Sequence, residues 1–265
     1  MDNFIKGFSA FILSIVVAIN AFGNFIGVGD IIPTEPETTV IETTLPEETT
    51  AADAEAIADF VALYNSETAK IVENGTYGIN RVCSYTKPID VGAATDILNA
   101  IIAAIDENSN LDSVVGSFLG VGTIKRETPE DVPYYHENYL LKAGALKAED
   151  INSFSEENGV YTFTLSDATN PKKDGTTALS RFTNDFVTHE EVVDSIAELT
   201  TAITVNSTEA EYTDIKVSVT VVEGKITNIK YSYAMDAEMN LKAAAVAVHG
   251  TGATEVKAEY SNIEY

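Results

Sequence analysis

Three histidines, His136, His189 and His249, and one cysteine, Cys83, are the residues of this 265-residue chain best suited to bind a metal or act as a nucleophile. A zinc site on a helix needs two histidines one turn apart, as in His-Glu-x-x-His, and these three lie far apart in sequence. The 41 acidic residues nowhere take the Asp-x-Asp-x-Asp-Gly spacing of a calcium loop. No Gly-x-Ser-x-Gly elbow, Ser/His/Asp set or phosphate-binding glycine loop can be assembled. No catalytic residue, metal ligand or cofactor is therefore assigned, and a non-enzymatic role is the expectation.

Two local compositions stand out. Tyr134-Tyr135-His136-Glu137-Asn138-Tyr139 follows Pro133; it could form a stacking platform, or an ordinary strand with amphipathic tyrosines at its rim. Cys83 alternates with Ile79 and Tyr85 at strand spacing, which makes it a small buried hydrophobe, and a lone cysteine excludes an internal disulfide. A third candidate is a row of apolar side chains with polar tips or soft sulfurs: Tyr231, Tyr233, Met235, Met239 and Leu241 share one face of a strand. They could line a cavity for an apolar or amphipathic ligand, or serve as packed core.

The elements that position these residues follow from periodicity. Ile57, Phe60, Val61, Tyr64 and Ile71 recur at helical spacing from about Thr50 until Asn74-Gly75 stops the run. Tyr77 to Ile89 reads as a strand. A second helix carries Ile97, Leu98, Ile101, Ile102 and Ile105, with Val114, Val115, Phe118 and Leu119 continuing after a polar break. A short strand is expected around Val121 to Arg126. Asn158-Gly159 predicts a hairpin between Phe154 and Leu165, and Thr188 with Glu191 predicts a capping box that leaves His189 exposed. Ile215, Val217, Val219 and Val221 alternate before Glu223-Gly224. A long partner strand then runs from Ile229 to Ala247, and Val256, Ala258 and Tyr260 form a third. The fold class is α+β: a curved antiparallel meander wrapped around two or three helices, with no parallel βαβ units.

Outside that region the chain is of a different kind. From Gly7 to Gly29 it is uncharged, a run that as a helix spans about 34 Å, enough to cross a bilayer. Lys6 lies on its amino side and the next base is Lys70, so everything beyond Gly29 is expected outside the cytoplasm. Residues 1–29 read as a retained anchor, a cleaved signal peptide or, in the plainest alternative, a buried core helix. Residues 30–50 are an acidic Thr/Pro/Glu-rich linker expected to stay extended, and 51–265 are the extracytoplasmic α+β domain. Sixteen basic against 41 acidic residues give a net charge of −25, a field that repels phosphate backbones, so nucleic acid is excluded as a partner. The membrane, through residues 7–29, and a hydrophobic ligand remain as partners.

The order of elements, with Asp214-Ile215-Lys216-Val217 leading through Gly224-Lys225-Ile226-Thr227-Asn228-Ile229-Lys230-Tyr231, resembles uncharacterised surface proteins of Firmicutes, especially clostridia. At the level of fold it also resembles the half-barrel lipoprotein carriers of the LolA and LppX type. That resemblance implies a curved sheet holding helices and, in some members, a lipid. The chain departs from those carriers in having no amino-terminal lipidation cysteine, and no functional residue carries over. Two functions are therefore expected in competition. One is a surface protein binding an apolar ligand between sheet and helices; the other is a surface interaction module with a filled core.

Overall fold

Alternation of apolar and polar residues dominates the carboxy-terminal half of the chain, and there the computed structural model builds three long antiparallel strands. It describes residues 51–96, 99–100, 103, 107–132, 134–199, 203–243 and 246–265. In chain order the helices are α1 (Ala51–Asn74), α2 (Leu111–Leu119), α3 (Ala178–Phe182) and α4 (His189–Leu199). The strands are β1 (Thr76–Asp90), β2 (Gly122–Arg126), β3 (Ile151–Glu157), β4 (Val160–Leu165), β5 (Ala168–Thr169), β6 (Ile203–Val222), β7 (Lys225–Ala243) and β8 (Val246–Glu264). All eight strands join one open, curved, antiparallel sheet in the order β2-β1-β8-β7-β6-β4-β3, with β5 on the flank of β6. The class is α+β and the sheet predominates.

The turns follow from residues that tolerate left-handed backbone. Asn158 and Gly159 between β3 and β4 have φ of 53° and 78°, and Glu223 and Gly224 between β6 and β7 have 52° and 79°. Positive φ at both central positions is what a two-residue hairpin twisted like its strands requires. The long strands bend where the register slips, between Val205 and Ser207, Thr213 and Lys216, and Thr220 and Val221. Asp214, at φ 53°, takes the left-handed conformation at the middle slip, and such bulges are how strands of this length curve.

Inward-facing residues stack across strands: Ile79, Tyr260, Ile229 and Val219 form one row, and Arg81, Ala258, Tyr231 and Val217 the next. α1 lies over this face. Phe60 stacks on Tyr161 of β4 at 4.7 Å between ring centroids and meets Phe163 edge-on at 5.2 Å; one turn on, Tyr64 stacks on Phe182 of α3 at 6.1 Å. Asn65 clamps Leu146 through both its amide and its carbonyl (3.0 and 2.8 Å), and Thr68 accepts from the Gly144 amide at 2.9 Å. The irregular segment 139–150 is thereby pinned beneath α1. Gly144 is required there, since a Cβ would stand 2.6 Å from the Tyr64 ring.

Four expectations need correction or placing. The partner strand predicted through Ala247 ends at Ala243, and Ala247 belongs to β8, paired with Lys242. A run of alanines and valines keeps its two-residue alternation through the reversal, so the pattern carries no sign of the turn; Ala245 lies outside the described residues. Tyr134–Tyr139 is a 3₁₀ turn, not a strand. Ile97, Leu98, Ile101, Ile102 and Ile105, and all of residues 1–50, lie outside the described residues. Among those described, no helix is long and apolar enough to cross a membrane.

Candidate functional site

Along β1 the inward positions read Tyr77, Ile79, Arg81, Cys83, so an arginine occupies a core position. It is 2% exposed and must find a counter-charge. The partner is Asp185, 1% exposed, in the turn between α3 and α4 and flanked by the buried Phe182 and Phe186. Arg81 Nε donates to Asp185 Oδ2 at 2.8 Å, and Arg81 Nη1 donates to the Gly120 carbonyl at 2.8 Å. The guanidinium lies 4.1 Å above the ring of Tyr139, a cation–π contact.

Tyr231 and Tyr233 on β7 complete the cluster. The Tyr231 hydroxyl donates to Asp185 Oδ2 at 2.7 Å, and that of Tyr233 donates to the Asp185 carbonyl at 2.6 Å. Tyr212 on β6 exchanges hydrogen bonds with the backbone of Val187 at 3.1 and 3.2 Å, and Tyr260 donates to the Tyr139 carbonyl at 2.9 Å. Rings of Tyr212, Tyr231, Tyr233 and Tyr260 touch edge to face, stacked or tilted, 5.5 to 6.4 Å apart. β1 and β7 thus both reach one buried carboxylate, in the turn between α3 and α4.

The electrostatics suit a fixed arrangement. Burial alone would lower the Arg81 pKa, but Asp185 beside it more than reverses that and holds the guanidinium charged. Burial, reinforced by the Asp185 charge, pushes the phenols of Tyr231 and Tyr233 well above their ordinary value. They therefore stay protonated and able to donate. Burial also pushes the Cys83 thiol up, which disfavours the thiolate a nucleophile needs. A second ion pair joins the buried Asp150 to the half-buried Arg181. Burial raises the Asp150 carboxyl, the Arg181 and Lys147 hydrogen bonds outweigh it, and the net shift is downward.

Of the candidate ligand-lining residues, Tyr231, Tyr233 and Met235 are buried, whereas Met239 and Leu241 are half-buried further along β7. The first two meet at Asp185 and the last two do not. His189 and His249 are exposed on different elements, hydrogen-bonded to Thr208 at 2.8 Å and Asn240 at 3.0 Å; His136 falls in the 3₁₀ turn. Among the described residues no group of three or more His, Cys, Asp or Glu could hold a metal ion. Arg81 and Asp185 were missed in the sequence. Their signal is a charged residue in apolar register: Arg81 between Ile79 and Cys83, Asp185 between Phe182 and Phe186.

No family model, curated protein or solved structure matches this chain.

Proposed function

We propose that the chain is a non-enzymatic extracytoplasmic surface protein whose described part is an interaction module with a filled core. The observation that carries this reading is the use of the Tyr231 and Tyr233 hydroxyls. Both donate to Asp185, whose carboxylate also receives Arg81. Polar groups kept for a ligand would point into open space, and these satisfy one another. Location rests on the uncharged run Gly7–Gly29 and the acidic linker after it.

A second reading, an apolar ligand held as in a half-barrel, is favoured by one observation. Met239 and Leu241 continue the inward face of β7 beyond Met235 and are only half-buried, which would place any such ligand at the far end of the sheet. Extraction of the natively purified chain with organic solvent, followed by mass spectrometry, separates the two. No stoichiometric apolar compound is expected. Recovery of one, lost on Met239→Asp but retained on Tyr233→Phe, would replace the filled-core reading with the ligand-binding one.

A further inference from the structure

Glu-Asn-Gly occurs twice, as Glu73-Asn74-Gly75 and Glu157-Asn158-Gly159. In such a step the glycine nitrogen, unobstructed by a Cβ, can attack the asparagine Cγ. The N–Cγ bond forms, the Cγ–Nδ2 bond breaks, and the proton lost by the glycine nitrogen leaves with the departing amine as ammonia. Water then opens the resulting succinimide to aspartate or isoaspartate. Neither oxidant nor cofactor is needed, and the two tripeptides are identical. Any difference in their reactivity within the folded chain comes from the fold.

The structure holds them differently. Asn74 is the last residue of α1, and the Gly75 amide donates to the Ile71 carbonyl at 2.7 Å. A carbonyl oxygen cannot accept that proton as a base. Packing does not separate the two glycines, since a Cβ would stand 2.7 Å from Ile71 O at Gly75 and 2.7 Å from Val221 O at Gly159. Rotating the Asn74 backbone toward ring closure would break the junction of α1 with β1. At the other site the Gly159 amide donates to Glu156 Oε1 at 2.8 Å, a carboxylate able to draw the proton as the nitrogen attacks. Both asparagines are exposed, but Asn158 sits at a hairpin tip with φ 53° and not at the end of a helix. Rotation there breaks the turn and the bond from the Val221 amide to the Gly159 carbonyl (2.8 Å), but no junction between a helix and a strand.

We propose that Asn158 is a self-modification site that converts to aspartate and isoaspartate with Glu156 as the general base, while the fold keeps Asn74 intact. Isoaspartate adds a main-chain methylene at the tip joining β3 to β4, and either product makes the chain more acidic. The test is to incubate the full-length chain at neutral to mildly alkaline pH, native and in urea, and map both sites by peptide mass spectrometry. In the native chain Asn158 converts and Asn74 does not; in urea the two convert at similar rates. Glu156→Gln slows native Asn158 by about tenfold or more, in keeping with a positioned general base, and leaves the urea rate unchanged. Asn74 converting as fast as Asn158 in the native chain would overturn the proposal. So would native Asn158 staying intact over the time urea converts it, or Glu156→Gln leaving the native rate unaltered.

Discussion

Tyr64 and Tyr233 show how differently one residue type is treated in this core. Tyr233 is buried with its hydroxyl on the Asp185 carbonyl, whereas Tyr64 is fully buried and its hydroxyl has no partner among the described residues. An unsatisfied buried donor carries a desolvation penalty that no bond offsets. Tyr64→Phe is therefore expected to stabilise the fold by about 1 kcal/mol, and Tyr233→Phe to destabilise it by a similar amount. Both are read as shifts of the urea midpoint at constant slope. Equal destabilisation by the two substitutions would mean that Tyr64 has a partner after all. The sequence shows Tyr64 as a core residue through its helical spacing with Phe60 and Ile71. It cannot show which hydroxyls are satisfied, because their partners come from loops distant in sequence. Tyr231 and Asp185 are 46 residues apart.

At the scale of elements the outward face of β6 and β7 carries an unusual arrangement. Glu209 faces Glu238, and Glu211 faces Asp236. All four are exposed, and among the described residues none forms an ion pair. Like charges directly opposite one another destabilise a strand pair. Glu238→Lys is expected to raise stability by on the order of half a kcal/mol at low ionic strength, and the gain should shrink as salt screens the pair. A stability unchanged at low salt would show that the four carboxylates do not interact. Elements with strict alternation and marked turns, such as β1, the β3–β4 hairpin and the β6–β7 reversal, were legible because side-chain period and left-handed turn residues are local signals. The first half of β6 was not legible: Asn206, Ser207 and Thr208 interrupt its apolar face near a register slip. α3 is short enough for its capping pair, Thr177 and Ser180, to be its main mark.

For the whole molecule, composition shows an acidic chain with a net charge of −25. Which of its inward residues form a site is a matter of topology. The antiparallel order brings β1, far from β7 in the chain, to within one strand of it through β8, and Arg81 thereby reaches Asp185 beneath Tyr231 and Tyr233. The class α+β was legible, while the convergence of those four residues was not. Their cluster is central because a carboxylate satisfied by core residues, and not held open, separates an interaction module from a carrier. Breaking a buried ion pair from one side leaves an uncompensated charge and costs about 3–5 kcal/mol, whereas replacing both partners by apolar residues is far milder. Polar residues kept for a ligand behave oppositely, since removing them leaves a fold as stable or more so. The deciding measurement is urea unfolding of Asp185→Leu beside the Arg81→Met/Asp185→Leu double variant. A loss of about 3–5 kcal/mol in the single variant, largely recovered in the double, is the expected result. A single variant as stable as the parent chain, or more stable, would contradict the filled-core reading and mark Asp185 as a group held in readiness for a ligand.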